Sequence, residues 1–390
     1  MPRFPSSSPS ASTLSDSVFS QLVAKARALP GPIHPLHVGD TYREPLAAAQ
    51  AEAQRTADHP RLHNYAPVQG EPALLDAIEE RLATRGGPVD RETIQVTCGA
   101  TSGVSVWAAG LLDPGDEVVI LAPFWPLVRG IVAGRGARAI ELPFWDRLGD
   151  PGFDVEAAIE GAVGARTVAI YVNSPNNPTG RVMPDDALAA LARVAARHDL
   201  WVLDDETYDD LDYRDARSTP PWARADLRDR TVAAHTLSKT FGLAGARVGF
   251  LHGPPAAMRT LRGVQAFQTY CAPRPMQLGA ARALREGDAW LAEARSAYAE
   301  AGRRAAAVVG VAPPEGGTFL FFDASPHLRE GEDVMGLLDR CLEAGVLLTP
   351  GAASGSAYAR WVRLCYTSVP PRELDDALDR LSRVLRGSGR

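Results

Sequence analysis

The chain is poor in cysteine. Its four, Cys98, Cys271, Cys341 and Cys365, lie far apart in a sequence of 390 residues. No Cys-x-x-Cys pair or other metal-like spacing occurs, which excludes a disulfide scaffold and leaves no metal ligand set; reduced thiols in a cytoplasmic setting are expected. Long apolar runs are scarce too, and none approaches the roughly 20 residues of a membrane span. The first fifteen residues are rich in Ser and Pro and have no apolar stretch of the secretory kind. Basic charge is not in surplus. The formal net charge is -6 and the arginines are scattered, so neither nucleic acid nor a membrane surface is expected as a partner. A Gly-x-Gly-x-x-Gly turn between strand and helix is also missing, which sets aside a nicotinamide-dependent dehydrogenase.

What is present is a long alternation of strand and helix patterns. Strands are predicted at Ile94–Cys98, Glu117–Leu121, Thr167–Asn173, Leu200–Asp204, Thr231–Thr236 and Arg247–His252, with helices leading to Leu112 and over Asp185–His198. Continuous apolar strands separated by helices predict an α/β fold with a mostly parallel sheet buried on both faces. Beyond about Pro275 the pattern changes. Helices at Met276–Arg285 and Ala289–Val309, short strands at 317–322, Val346–Thr349 and Trp361–Tyr366, and a last helix from Arg372 to Leu385 predict a smaller α+β domain. The expected division is a flexible tail at 1–15, an N-terminal arm at 16–50 that joins the small domain, a large domain at 51–275 and a small domain at 276–390. Such a length suits two or three domains.

Unusual residues cluster at predicted strand ends, where ligands bind in such sheets. Lys239 follows the apolar strand ending at Thr236. A desolvated ammonium there is either paired or held with a lowered pKa as a nucleophile toward carbonyls. The acids Asp204, Asp205 and Glu206 end another strand. They are either a solvated strand end or a place where Asp205 meets a buried cation, with Tyr208 beside it. Asn177 sits in Ser174-Pro-Asn-Asn-Pro-Thr-Gly180, a turn that places an amide rigidly at a strand end. Gly99-Ala100-Thr101 opens a helix after a strand, so free backbone N–H groups and the helix dipole can meet a phosphate; Arg247 is a second phosphate candidate. Trp125 is either core or a stacking face for a planar ring. Arg363, inside an apolar strand, needs an anion partner, and its planar fork suits a carboxylate.

Taken together these strings resemble the fold-type-I pyridoxal phosphate enzymes, specifically the class I and II aminotransferases of the aspartate aminotransferase superfamily. The motifs are the region from Tyr65 to Gly70, Gly99-Ala-Thr, Pro123-Phe-Trp125, Pro175-Asn-Asn-Pro-Thr-Gly180, Asp205-Glu-Thr-Tyr208, Ser238-Lys239 with Arg247, and Arg363. The resemblance implies a large domain with a seven-stranded sheet and pyridoxal 5'-phosphate as cofactor, held by Lys239 as a Schiff base. It implies further that Asp205 pairs with the ring nitrogen and that Tyr208 and Asn177 bond the ring oxygen. Ala100, Thr101, Thr236 and Arg247 would hold the phosphate, at the turn made by Gly99. Trp125 would stack on the ring, and Arg363, with the backbone at Gly39, would take the substrate carboxylate. Tyr65 would reach the site of a second subunit, which implies a homodimer.

The chain departs from the pattern in three places. Thr236 stands where the family often has serine, and keeps the hydroxyl. Gly351-Ala-Ala-Ser-Gly355 lacks an aromatic that many relatives carry, which implies a differently shaped pocket. Arg274, flanked by Pro273 and Pro275, lies near the region from which some relatives take an arginine for a dicarboxylate side chain, and no residue is assigned to that role. The implied activity is transfer of an amino group from an L-amino acid to a 2-oxo acid by ping-pong half-reactions. An eliminating enzyme with the same cofactor, such as a C–S β-lyase or a cyclopropane-forming synthase, is the alternative. A non-catalytic effector-binding module is a third.

Overall fold

The computed structural model describes residues 18–387, so the tail expected at 1–15 lies outside the described residues. The main sheet is built from β1 (Ile94–Thr97), β2 (Glu117–Ala122), β3 (Arg138–Pro143), β4 (Thr167–Asn173), β5 (Trp201–Asp205), β6 (Thr231–Thr236) and β7 (Gly249–His252). Their order is β1-β7-β6-β5-β4-β2-β3. Strands β3, β2, β4, β5 and β6 pair in parallel, while β7 runs antiparallel to both β6 and β1.

Both faces are covered, as the apolar strands predict. Val119, Leu121, Ile170, Val172 and Val202 pack under the helix Asp185–Arg197 through Leu188 and Leu191. Their neighbours Val118, Ile120, Ala169, Tyr171 and Leu203 pack the other way, against Val104 and Trp107 of the helix Ala100–Leu111. Successive residues of a strand point to opposite faces, so Tyr171, Asn173, Leu203 and Asp205 share one side. A second sheet, of β8 (Phe319–Asp323), β9 (Thr349–Pro350) and β10 (Trp361–Cys365), is antiparallel with β10 in the centre. Leu22 and Leu36 from the N-terminal side join its core, beside Leu374 and Leu378 of the helix Pro371–Arg386. His34 bridges to Val346 and bonds Asp376 at 2.8 Å.

Three elements differ from the sequence expectation. The strand predicted from Arg247 begins at Gly249, because Arg247 adopts a left-handed turn (φ 55°) after the 3-10 turn Ala244–Ala246. The strand at Val346–Thr349 reduces to Thr349–Pro350, since Val346 pairs with His34 instead. Strand β3 goes unmarked in the sequence because it lies at the sheet edge, half exposed, with Arg138 and Glu141 breaking the apolar run.

At one edge of the sheet Gly249 lies opposite Thr97 on one side and Thr236 on the other. A Cβ at Gly249 would sit 2.4 Å from the His235 carbonyl oxygen and 2.8 Å from the Gly99 carbonyl carbon. Gly249→Ala is therefore expected to destabilise the fold by about 2 kcal/mol, the usual cost of overpacking. Thermal unfolding reads this; an unchanged Tm would mean that the ladder relaxes freely.

Candidate active site

The parallel strands and β1 end on one edge, and β7 starts there. Along that edge lies a cavity of about 300 Å³. Its walls carry eleven of the residues singled out from the sequence: Gly39, Ala100, Thr101, Trp125, Asn177, Asp205, Tyr208, Thr236, Lys239, Arg247 and Arg363. Gly99 lies just beneath, and Tyr65 is elsewhere, 82% exposed and edge-on to Tyr270 at 5.2 Å.

One end is an anion cradle. The helix Ala100–Leu111 begins there, behind Gly99 at φ 82°, so its first N–H groups face the cavity unpaired within the helix. Arg247 folds over this turn, donating to the carbonyls of Ala244 and Cys98 at 2.9 and 3.1 Å. A Cβ at Gly99 would lie 2.7 Å from the Arg247 Nη2, which could swing aside, so it is the positive φ of 82° that favours glycine here. Thr236 Oγ1 and Ser238 Oγ are 2.8 Å apart in the same wall. Ser238 is a cradle residue that the sequence reading does not assign, although it stands next to Lys239.

Lys239 reaches into the middle of the cavity. Its Nζ donates to the Gly39 carbonyl at 2.5 Å and lies 3.7 Å from Asp40. Burial holds its pKa below the ordinary lysine value, and the Asp40 charge offsets only part of that. A larger neutral fraction makes the amine a nucleophile and a proton acceptor.

Asp205 closes β5 on the shared face. Its Oδ2 accepts from the Tyr171 hydroxyl at 2.6 Å, and its Oδ1 accepts from the Thr207 hydroxyl at 2.6 Å and the Thr207 N–H at 3.1 Å. Burial raises its carboxyl pKa, and these donors pull it back toward the ionised form. A buried carboxyl with three donors and no cation paired to it among the described residues suits a cationic group in the cavity. Tyr171 and Thr207, which hold Asp205, are not singled out by the sequence reading. The period-two register with Asp205 was the available signal for Tyr171, but it is hidden inside an apolar run.

Asn177 couples two groups. Its Nδ2 lies 3.3 Å from the Tyr208 Oη, and its Oδ1 accepts from Arg363 Nη1 at 3.1 Å. The backbone N–H of Asn177 is held by Asn173 Oδ1 at 2.7 Å. Arg363 also donates to the His37 carbonyl at 3.1 Å and lies 4.4 Å over the Phe319 ring. All these partners are neutral, so among the described residues Arg363 is a buried cation with no anion of its own. Burial and the neighbouring Arg363 charge hold His37 down at about 4, hence neutral near pH 7. Arg274 stands apart from the cavity, ion-paired with Glu71 at 2.8 Å.

Asp204 turns to the opposite side of β5. Burial, and then the charges of Asp205 and Asp209, push its carboxyl up to about 8. A group that holds its proton more tightly when folded costs stability as pH climbs from its ordinary value near 4 through about 8. Asp204→Asn is expected to flatten the fall of Tm over that range. Superimposable pH profiles of the variant and wild-type protein would contradict this.

Residues 33–381 match the family described as aminotransferase class I and II. The probable aspartate/prephenate aminotransferase of Thermus aquaticus is 31% identical over 378 residues, 94% of this chain and 92% of that one. The arginine–pyruvate transaminase of Pseudomonas aeruginosa is 33% identical over 313 residues, 77% of each chain. A double mutant of the Thermus thermophilus aspartate aminotransferase superposes with a TM-score of 0.89 at 29% identity, covering 98% of this chain and 100% of that one. These relatives are transaminases by name, and the eliminating alternative finds no favour among them. The seven-stranded, mostly parallel sheet and the match along nearly its whole length lead to one conclusion: the chain belongs to the class I and II aminotransferases and is a transaminase.

Proposed function

We propose that this transaminase binds pyridoxal 5'-phosphate in the cavity at the sheet edge and moves an amino group from an L-amino acid to a 2-oxo acid in two half-reactions. The observation that carries the proposal is the spacing of charge: a buried amine at Lys239, a buried carboxylate at Asp205, and two guanidiniums, Arg247 and Arg363, around one cavity. The donor set fits the cofactor. Arg247, Thr236, Ser238 and the helix start at Ala100 suit a phosphate; Asp205 suits a protonated ring nitrogen; Tyr208 and Asn177 suit a ring hydroxyl. When bound, pyridoxal phosphate supplies an electrophilic carbonyl and a ring that accepts the electrons released at the substrate Cα.

The chain's own groups do the rest. Arg363 seats the substrate carboxylate, replacing its neutral partners with a charged one. Lys239 Nζ, its pKa lowered by burial, accepts the proton from the substrate Cα and returns it on the product side. Asp205, whose charged form Tyr171 and Thr207 favour against the burial that raises its pKa, would pair with a protonated ring nitrogen. Trp125 and the backbone at Gly39 limit how the substrate turns. In this reading residues 51–275 form the cofactor-binding domain, while 276–390 and the arm at 16–50 form the small one; the packing of Leu22, Leu36 and His34 on the C-terminal helices supports the arm's placement. The exposed Tyr65 is assigned to the site of a second copy in a homodimer.

Absorbance of the loaded enzyme tests the proposal. Mixing with single amino acids, without an acceptor, should convert the aldehyde form of the cofactor to the amine form, and a 2-oxo acid should reverse it. Release of ammonia with no reversible conversion by any amino acid would overturn transamination here.

A further inference from the structure

A second concentration of charge lies one turn of chain from the active site. Tyr208 lines the active-site cavity, whereas Asp210 lines a separate open pocket of about 290 Å³. The walls of this pocket carry four guanidiniums, Arg81, Arg85, Arg217 and Arg295, against two carboxylates, Asp210 and Asp288. Arg81 and Arg85 stand one turn apart on the helix Pro72–Gly86, so they share a face. Arg295 projects from the helix Asp288–Val309 across the pocket.

The pairing is lopsided. Asp210 alone serves three guanidiniums, Arg81 at 2.8 Å, Arg85 at 2.7 Å and Arg217 at 3.6 Å. Arg85 has Asp209 at 3.5 Å as well. Asp288 pairs with Arg81 at 2.8 Å, but its side chain is 78% exposed, so water screens much of its charge. Among the described residues Arg217 otherwise reaches only the Asp210 carbonyl, at 3.4 Å. Arg295 donates to the Asp212 carbonyl, and its Nε is buried with no partner among the described residues. Arg81 and Arg85 make the short contacts to the Asp209–Leu211 turn. Arg217, held to that turn by longer contacts, and Arg295 add two further guanidiniums on the rim of a concave, partly desolvated surface. Burial first, and then the like charges of Arg85 and Arg295, hold the Arg217 pKa below its ordinary value, while Asp210 and Asp209 pull the other way.

We propose that this pocket is a second ligand site, separate from the active site, that binds a compact phosphoryl polyanion with Arg217 and Arg295 as its principal contacts. A single carboxylate would occupy one guanidinium fork. Linked phosphoryl groups present oxygens in several directions, and so can engage forks on both walls at once.

Inorganic pyrophosphate is the probe, titrated calorimetrically at fixed ionic strength into protein saturated with pyridoxal phosphate, so that the cradle at Arg247 is filled. One saturable site per chain is expected, and Arg217→Gln with Arg295→Gln should weaken it by about tenfold or more, as befits loss of charge-assisted bonds. Asp288→Asn, an exposed change that removes a competing acid, should tighten binding by roughly threefold. Absence of saturable binding to the wild-type protein would overturn the proposal, as would equal affinity in the double-glutamine variant. If that variant does not fold, Asp288→Asn decides alone: unchanged or weaker affinity rejects the site.

Discussion

Lys239→Ala is expected to reduce turnover by at least about 10⁴-fold, since it removes both the covalent nucleophile and the group that moves the Cα proton. The variant should still take up pyridoxal phosphate, because Asp205, Arg247 and the helix start at Ala100 do not depend on the amine. Borohydride should then fix the cofactor to the wild-type chain and leave the variant unlabelled. A small primary amine added to the medium should restore part of the rate, as it would for a missing proton acceptor. A variant that loses the cofactor altogether would show that the amine holds the site together rather than acting in it. Undiminished labelling would place the reactive amine at another lysine.

The second large effect belongs to Arg363. It is buried, its hydrogen-bond partners are neutral, and its Nε has no partner among the described residues. Truncating one partner of a buried charge pair costs roughly 2 to 5 kcal/mol, so Arg363→Leu should lower kcat/KM for amino acids by about 10² to 10³-fold. Binding provides a readout that does not need turnover. A 2-oxo acid at about 100 times its Kd should stabilise the wild-type protein by about 2.7 kcal/mol. That gain should nearly vanish in Arg363→Leu and shrink in Arg363→Lys, which keeps the charge but loses the fork. Equal stabilisation of all three proteins would mean that the carboxylate sits elsewhere.

The parts of this site that were legible in the sequence are those where a charged or polar side chain interrupts an apolar element. Lys239, Asp205 and Arg363 each break the rule that buried strands end or run without unpaired charge, and so each stood out as a candidate, while its role was given by the resemblance. Strand β4 was also legible, with its bounds at Thr167 and Asn173, because its burial on both faces leaves an apolar run rich in β-branched residues. Tyr171 was not. Its ring belongs to the core and only its hydroxyl reaches Asp205, so in sequence it looks like any other core aromatic. Thr207 acts by folding back on the residue two before it, a local turn that many threonines make without consequence. Arg247 could be picked out as a phosphate candidate, but its left-handed backbone could not, because a non-glycine residue adopts that conformation only when its surroundings demand it. Tyr65 has no ring partner among the described residues beyond Tyr270, and the role proposed for it requires a second molecule.

The reversal of β7 has a consequence for how readily the enzyme fills. Because β7 returns against β6, both ends of the segment carrying Lys239 are tied into one ladder, and the Leu237 N–H closes it onto the Val248 carbonyl at 3.2 Å. The segment is folded back on itself again where Phe241 and Leu243 donate to Leu237. Most of the backbone entropy that a loop would forfeit on capturing a ligand has been surrendered during folding. Association should then carry only a small penalty for ordering, and the apoprotein should already hold the amine within reach of an incoming aldehyde.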